Sequence, residues 1–168
     1  MRRPIVAALV AASLSGAAYA APEAFLSRFD GQWAGSGTVQ RNAKDNHHRV
    51  SCTANGQSGA TRVSIDGTCR AAIIFSRKIG ADLTLDPATG TYTGTYIGSK
   101  IGPARLAGKR QGDAIHLVIT WPQDVNGDRE SQMTITNAGD GSFAVRIDDE
   151  VEPGGPVTTT TDISFAQR

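Results

Sequence analysis

Strict alternation of apolar and polar residues recurs along this sequence and restricts the folds open to it. The alternation is clearest over residues 114–121 and 143–148, where every second side chain is Ile, Leu, Val, Phe or Trp. A period of two is that of a strand with one face in a core and the other in water. Beyond residue 31 no segment keeps the 3.6-residue period of a helix over the roughly ten residues that a helix needs. The sequence therefore predicts an all-β fold.

Turn signals separate the alternating segments, which recur about every eight to twelve residues. Residues 86–90, 111–113, 126–128 and 139–141 are rich in Gly, Asp and Asn, which adopt the positive φ angles of tight hairpins. We therefore expect strands joined consecutively by hairpins. The predicted strands are 32–41, 48–54, 60–65, 68–77, 81–85, 91–97, 104–109, 114–121, 130–136, 142–148 and 157–165.

Glycines inside the predicted strands point to a strongly curved sheet. Gly35, Gly37, Gly94 and Gly98 lie within or at the end of strands, as happens where a sheet bends to close on itself. Curvature and hairpin order together favour an antiparallel up-and-down barrel of roughly ten strands over a two-sheet sandwich. Before the first strand, apolar residues at positions 25, 26 and 29 fit one face of a short helix, which we expect to cap the barrel.

The first twenty residues have the organisation of a secretion signal. Arg2 and Arg3 precede an apolar run, and Ala18 and Ala20 occupy the small-residue positions of a cleavage site. The apolar run is too short for a membrane span. We therefore predict a signal peptide over residues 1–20, a single barrel domain over residues 21–168, and a periplasmic or secreted protein that does not insert into a membrane.

Cys52 and Cys69 are the only cysteines of the chain. In an exported protein two cysteines most often pair, because the compartment is oxidising. A redox-active pair usually has its cysteines two residues apart at the start of a helix, and these two are far from that arrangement. We therefore predict a structural disulfide.

The balance of charges argues against a nucleic-acid partner. Without Arg2 and Arg3 the chain keeps 15 basic residues against 16 acidic ones. A protein that binds DNA or RNA usually presents a basic face. No nucleic-acid partner is therefore expected.

No pattern in the sequence matches a metal centre or a catalytic constellation. His47 and His48 are neighbours on a predicted strand start, so they face opposite sides and are expected at the surface. Residues 124–128 resemble the start of a calcium loop, but Arg129 and Ile135 stand where that loop requires Gly and Glu. The acidic residues 148–150 are expected to form a solvated strand edge. Asp148, Asp149 or Glu150 would be the acid–base carboxylates of an enzyme, which is the last-ranked hypothesis. We expect no metal, no cofactor and no enzymatic activity.

Residues 29–33 read Phe-Asp-Gly-Gln-Trp and resemble the Gly-x-Trp opening of lipocalin-like, or calycin, barrels. The resemblance implies that a helical turn closes one barrel end, that Trp33 packs at its floor, and that Arg146 or Arg168 lies over the Trp33 ring. Haem-binding calycins of the nitrobindin type need a histidine late in the chain, and none follows His116, so haem is not expected. The sequence after the signal also resembles small envelope proteins of alphaproteobacteria, which implies an address but no activity.

Aromatic residues that point into such a barrel are the candidate ligand contacts. Trp33, Tyr92, Tyr96 and Trp121 would line a cavity for a small apolar molecule, unless Ile, Val and Leu side chains fill the interior. The first hypothesis is a periplasmic binding or interaction module whose partner is a small apolar ligand or an envelope protein. The alternative is a periplasmic protease inhibitor. It resembles the small single-disulfide barrels that guard bacteria from their own metalloproteases, and residues 21–25 would enter the protease cleft.

Overall fold

The computed structural model describes residues 22–40, 42–44, 46–72 and 75–168. The predicted signal peptide and the predicted first mature residue, Ala21, lie outside this part of the chain. A short helix, α1 (Pro22–Leu26), continues into one 3-10 turn (Ser27–Phe29). The strands that follow are β1 (Gly31–Val39), β2 (His48–Ser58), β3 (Arg62–Ala71), β4 (Phe75–Asp86), β5 (Thr91–Ile97), β6 (Ala104–Gln111), β7 (Ala114–Val125), β8 (Asp128–Thr136), β9 (Ser142–Glu150) and β10 (Val157–Gln167).

These strands form one closed antiparallel barrel in hairpin order. Each strand pairs with its successor, and β1 also pairs with β10, where Trp33 lies opposite Gln167 and Val39 lies opposite Thr161. Asn126 and the glycines of the predicted turns have the positive φ angles that these turns require. The predicted all-β up-and-down barrel with a short N-terminal helical cap is confirmed.

The predicted strand boundaries are wrong between residues 60 and 85. The predicted strands 60–65 and 68–77 break at Asp66 and Gly67, but β3 runs through both residues and ends at Ala71. The chain turns at Ala72 instead, with φ 55°, and β4 then continues unbroken to Asp86. Gly67 allows β3 to approach β2 closely, because a Cβ at this position would collide with the Thr53 carbonyl oxygen. A glycine that permits such contact imitates a turn signal in the sequence.

The barrel has two different ends. We call closed end the one that carries α1, the C-terminus and the connections after β2, β4, β6 and β8. We call open end the one that carries the connections after β1, β3, β5, β7 and β9. Sites at the two ends are therefore built from different sets of loops.

Apolar side chains fill the closed end. Phe25 of α1 is fully buried, and Phe29 is 1% exposed. The Phe29 ring meets Phe143 edge-on with centroids 5.6 Å apart, and the Trp33 ring lies 4.9 Å from that same ring. Gly56 on β2 makes this approach possible, because a Cβ there would collide with the Phe29 carbonyl oxygen. Helix and strands thus form a packed plug at this end.

A disulfide joins Cys52 on β2 to Cys69 on β3, as predicted. The two residues lie opposite each other in the ladder, with Cα atoms 4.0 Å apart, the short separation of a non-hydrogen-bonded pair. Both residues belong to the buried core. The bond therefore fastens β2 to β3 from the inside of the barrel.

Candidate functional site

The four predicted ligand residues separate into two pairs, of which Trp33 and Tyr92 belong to the closed end. The Trp33 Nε1 donates a hydrogen bond to the Phe29 carbonyl oxygen at 3.0 Å, and the residue is 1% exposed. Tyr92 is 2% exposed. Burial raises the pKa of the Tyr92 hydroxyl, and the nearby charge of Arg110 opposes that rise. This pair is packed into the plug.

Tyr96 and Trp121 lie together towards the open end. Their rings meet edge-on with centroids 6.0 Å apart. Tyr96 is on β5 and Trp121 is on β7, and β6 lies between these strands. The β6 residue that pairs with Tyr96 is the small Ala104. Burial raises the pKa of Tyr96 to about 12, with the charge of Arg77 acting in the opposite direction. The structure thus brings two of the four predicted residues into one aromatic pair.

Polar side chains continue from this aromatic pair across the inner wall of the barrel. The Trp121 Nε1 donates to the Ser131 hydroxyl at 2.6 Å. Ser131 is in turn hydrogen-bonded to Asp149, which pairs in register with Thr158 on β10. The Thr158 hydroxyl is buried and has no hydrogen-bond partner among the described residues. We call this row the mouth layer; its members are Tyr96, Ala104, Trp121, Ser131, Asp149 and Thr158.

Asp149 is the ionisable member of the mouth layer and is 7% exposed. Burial raises the pKa of the Asp149 carboxyl above its usual value. Hydrogen bonds from Ser131 and from the Glu150 backbone act against that rise, and the charges of Asp128 and Glu150 add to it. The carboxyl therefore holds a proton more readily than an exposed aspartate does, and in that form it both donates and accepts hydrogen bonds.

The expectation that residues 148–150 form a solvated edge is wrong for Asp149. Asp148 does face outwards, where it accepts hydrogen bonds from Arg146 and Thr159. Asp149 faces inwards because it continues the alternation of Phe143, Val145 and Ile147. The period-two pattern contains this information, but a run of three acidic residues draws attention away from it.

The apolar surface that remains accessible is concentrated at the open end. The large hydrophobic residues that are exposed, Phe75, Ile97 and Val157, each lie at the open end of a strand. Val39, Ala71, Ile79, Tyr96, Ile101 and Val125 are partly buried there and pack against the core. By contrast, the plug residues at the closed end are almost completely buried. The open end is the part of the barrel that offers apolar contacts to another molecule.

The interior on the β6–β8 side is filled. Leu106, Ile115, Ile119, Met133 and Ile135 are between 0% and 2% exposed, which leaves no water-sized space beside them. Two open depressions, of about 530 and 440 Å³, lie on the outer face of the barrel. The larger has Gln32, Asn55, Lys78 and Arg168 among its lining residues. On this side of the barrel a small molecule therefore has no space deeper than the mouth.

The remaining candidate residues do not form a second centre in the part of the chain that the structure describes. His47, His48 and His116 are exposed, and His116 Nδ1 lies 3.3 Å from the Thr134 hydroxyl. No group of three His, Cys, Asp or Glu side chains in this part is placed to hold a metal ion. Residues 124–128 form the β7–β8 hairpin, with Asn126 at φ 57°.

Arginine side chains lie over Phe25 in the plug. The guanidinium carbon of Arg110 is 4.4 Å from the Phe25 ring centroid, and that of Arg28 is 5.3 Å away. Arg146, one of the two arginines expected over Trp33, faces outwards and pairs with Asp148. Phe25 belongs to the segment considered for a protease cleft, but it is buried in the plug, and the exposed α1 residues before it are Glu23 and Ala24.

Comparison with known proteins identifies the fold and no activity. No family model matches the sequence, and no curated protein matches it. Among solved structures, the crystal structure of Rv2717c from M. tuberculosis is similar, with a TM-score of 0.65 and 13% identity over 85% of this chain and 94% of that one. At this identity the similarity shows a common barrel fold. In the described residues no helix has the length and apolar character needed to cross a membrane.

Proposed function

We propose that this protein is an exported binding module of the lipocalin-like class, periplasmic or secreted, whose binding site is the mouth layer. Support for the class comes from the ten-strand barrel, the helical plug and the burial of Trp33 two residues after Gly31. The observation that carries the site is the concentration of accessible apolar surface at the open end, around the pair formed by Tyr96 and Trp121. No nucleic acid is expected as a partner.

The ligand that fits this chemistry is small and mainly apolar, with one hydrogen-bonding group. An apolar body would contact the Tyr96 and Trp121 rings and the partly exposed Ile79 and Ile101. A single polar group on it would reach the unpartnered Thr158 hydroxyl beside Asp149. Since a buried hydroxyl without a partner is costly, a ligand that bonds to it gains affinity.

Titration with a neutral apolar fluorophore, N-phenyl-1-naphthylamine, tests the proposal. We expect saturable binding with a dissociation constant on the order of micromolar. Tyr96→Leu and Trp121→Phe should each weaken binding at least fivefold. The matched control is Tyr92→Leu, which changes the same residue type on the same face of β5 but inside the plug, and it should alter affinity less than twofold.

Two results would contradict the mouth as the site. One is absence of binding by a correctly folded protein; the other is equal weakening by Tyr92→Leu and Tyr96→Leu. The inhibitor hypothesis uses the opposite end of the barrel and is separated by a different assay. If the intact protein slows a secreted metalloprotease and deletion of residues 21–24 abolishes that effect, the inhibitor function replaces the binding module.

A further inference from the structure

Five residues at the start of β4 have a neighbouring strand on one side only. β3 pairs with β4 from Phe75 onward, whereas β5 begins to pair with β4 only at Gly80, opposite Ile97. Residues 75–78 are exposed, and Ile79 is partly exposed. In the described part of the chain no backbone hydrogen bond joins residues 75–79 to the connection between β5 and β6. We call residues 75–79 the free edge; it is about 17 Å long.

The backbone groups that the free edge presents follow from the hydrogen bonding of β4 to β3. The Leu85 N–H donates to the Thr61 carbonyl at 2.7 Å, so Leu85 is one of the residues that bond towards β3. Such residues alternate along an antiparallel ladder, and the β3–β4 register is continuous. Ser76 and Lys78 are in the other set, so their N–H and C=O groups point away from β3. The edge therefore offers two donors and two acceptors in strand geometry.

Cations surround these backbone groups. Lys78 lies on the outer face of the edge, and Arg70 of β3 is on the same face, opposite Ser76. Arg77 and Lys100 lie nearby on the free edge and on the connection after β5. No Asp or Glu occurs in residues 67–71, 75–79 or 97–103. Asp66, which pairs with Gly80, is the acidic residue beside the edge, and an approaching chain therefore meets an excess of positive charge there.

Apolar side chains flank Arg77 on the other face of the same edge, which is the face that points towards Tyr96. Phe75 is 67% exposed, and Ile79 packs partly against the core. The open depression of about 530 Å³ on the outer surface includes Lys78, Ile79 and Ile97 in its lining, at the point where β5 stops. A strand added at this edge would therefore have space for the side chains on each of the strand's two faces.

We propose that the free edge binds an extended acidic segment of a partner protein as an additional strand. The segment carries acidic residues on the face that meets Arg70 and Lys78, and apolar residues on the face that meets Phe75 and Ile79. Main-chain hydrogen bonds to Ser76 and Lys78 supply affinity, and the alternating side chains supply selectivity. The main-chain groups of this site lie outside the mouth layer, and Ile79 contributes a side chain to both sites.

A second copy of this chain fits the edge poorly. Symmetric antiparallel pairing of two free edges through Ser76 and Lys78 places Arg77 opposite Arg77. Like charges that face each other directly destabilise a strand pair. Lys78 protects the edge in the same way, since charged residues on exposed edges discourage pairing with basic or neutral chains. Charge complementarity therefore selects an acidic partner.

Fluorescence anisotropy with a labelled six-residue peptide that alternates glutamate and valine tests this proposal. We expect saturable binding to the intact exported protein, and at least tenfold weaker binding of a peptide that alternates lysine and valine. Ser76→Pro removes one free N–H from the edge without changing charge or the ladder to β3, so it should weaken binding at least tenfold while the melting temperature stays within a few degrees. The matched control is Ser76→Ala, which shortens the same side chain and keeps the free N–H, and it should bind as the parent does.

Hydrogen exchange gives a readout that is independent of the variants. The amides of Ser76 and Lys78 should exchange much faster than the amide of Arg77 in the free protein, and the peptide should slow their exchange at least tenfold. Slow exchange of these amides without peptide would overturn the proposal. So would undiminished binding by a folded Ser76→Pro protein, failure of the glutamate–valine peptide to bind, or dimerisation of the protein through this edge in sedimentation experiments.

Discussion

At the scale of single residues, Asp149 is the group whose burial has the clearest consequence for stability. Its raised pKa means that the folded state favours the protonated form. The contribution of the group to stability is complete below its ordinary pKa and is lost as pH rises through the raised value. Above the raised pKa the fold therefore holds a carboxylate that it disfavours.

Replacing Asp149 by Asn should raise the melting temperature at pH 7, because an amide has no charge whose burial costs free energy. Near pH 3.5 the variant and the parent should unfold at similar temperatures.

Asp140→Asn is the opposite case, because hydrogen bonds from Ser142 lower the pKa of this exposed carboxyl. That control should lower the melting temperature at pH 7 and lose its effect in acid. Thermal unfolding between pH 3.5 and 8 measures the melting temperatures of both variants. An Asp149→Asn protein that is less stable than the parent at pH 7 would contradict the raised pKa of Asp149.

Gly56 gives a second prediction at this scale. A methyl group at this position collides with the Phe29 carbonyl oxygen, so Gly56→Ala should push the plug outwards and cost about 2–3 kcal/mol. Gly59→Ala is the matched control, since a Cβ there meets nothing within 4 Å. Chemical denaturation of the two variants compares them directly. Equal stability of both would show that the helix and β2 are not in the close contact described.

At the scale of elements, the sequence predicts strands well where alternation and turn residues agree. The predicted strand 91–97 coincides with β5, and the turns at 86–90, 111–113, 126–128 and 139–141 join the expected neighbours. The turn after Ala71 is missed because the sequence there contains none of the usual turn residues in the right place, while Gly67 has a packing role that resembles a turn signal.

The candidate site is predictable only in part, because contacts between strands depend on register and strand length, which local sequence patterns do not specify. Tyr96 and Trp121 are identified from residue type and inward alternation, but their proximity depends on the register of three strands, which no local pattern states. The free edge depends on β4 extending beyond β5, which is a difference between two strand lengths. Asp149 could be found by extending the alternation of β9 by one step.

At the scale of the whole molecule, the disulfide is the one covalent link across the sheet. It closes a separation of 17 residues, and chain entropy assigns about 3 kcal/mol to a loop of that size. Cys52→Ala together with Cys69→Ala should lower the free energy of unfolding by roughly that amount and leave the fold intact. Denaturation of the parent with and without reductant provides the comparison. Two free thiols in protein recovered from the periplasm would contradict the expected compartment and its oxidising conditions.

The pairing of β1 with β10 also determines when the barrel can close during synthesis. A chain that leaves the ribosome N-terminus first presents β1 at the beginning and β10 only at the end, so the ladder that closes the barrel is the last to become available. Every other ladder joins strands that are consecutive in the chain. Premature termination before β10, an element of only 11 residues, would leave β1 and β9 with unpaired edges, the arrangement from which strand-mediated aggregates grow.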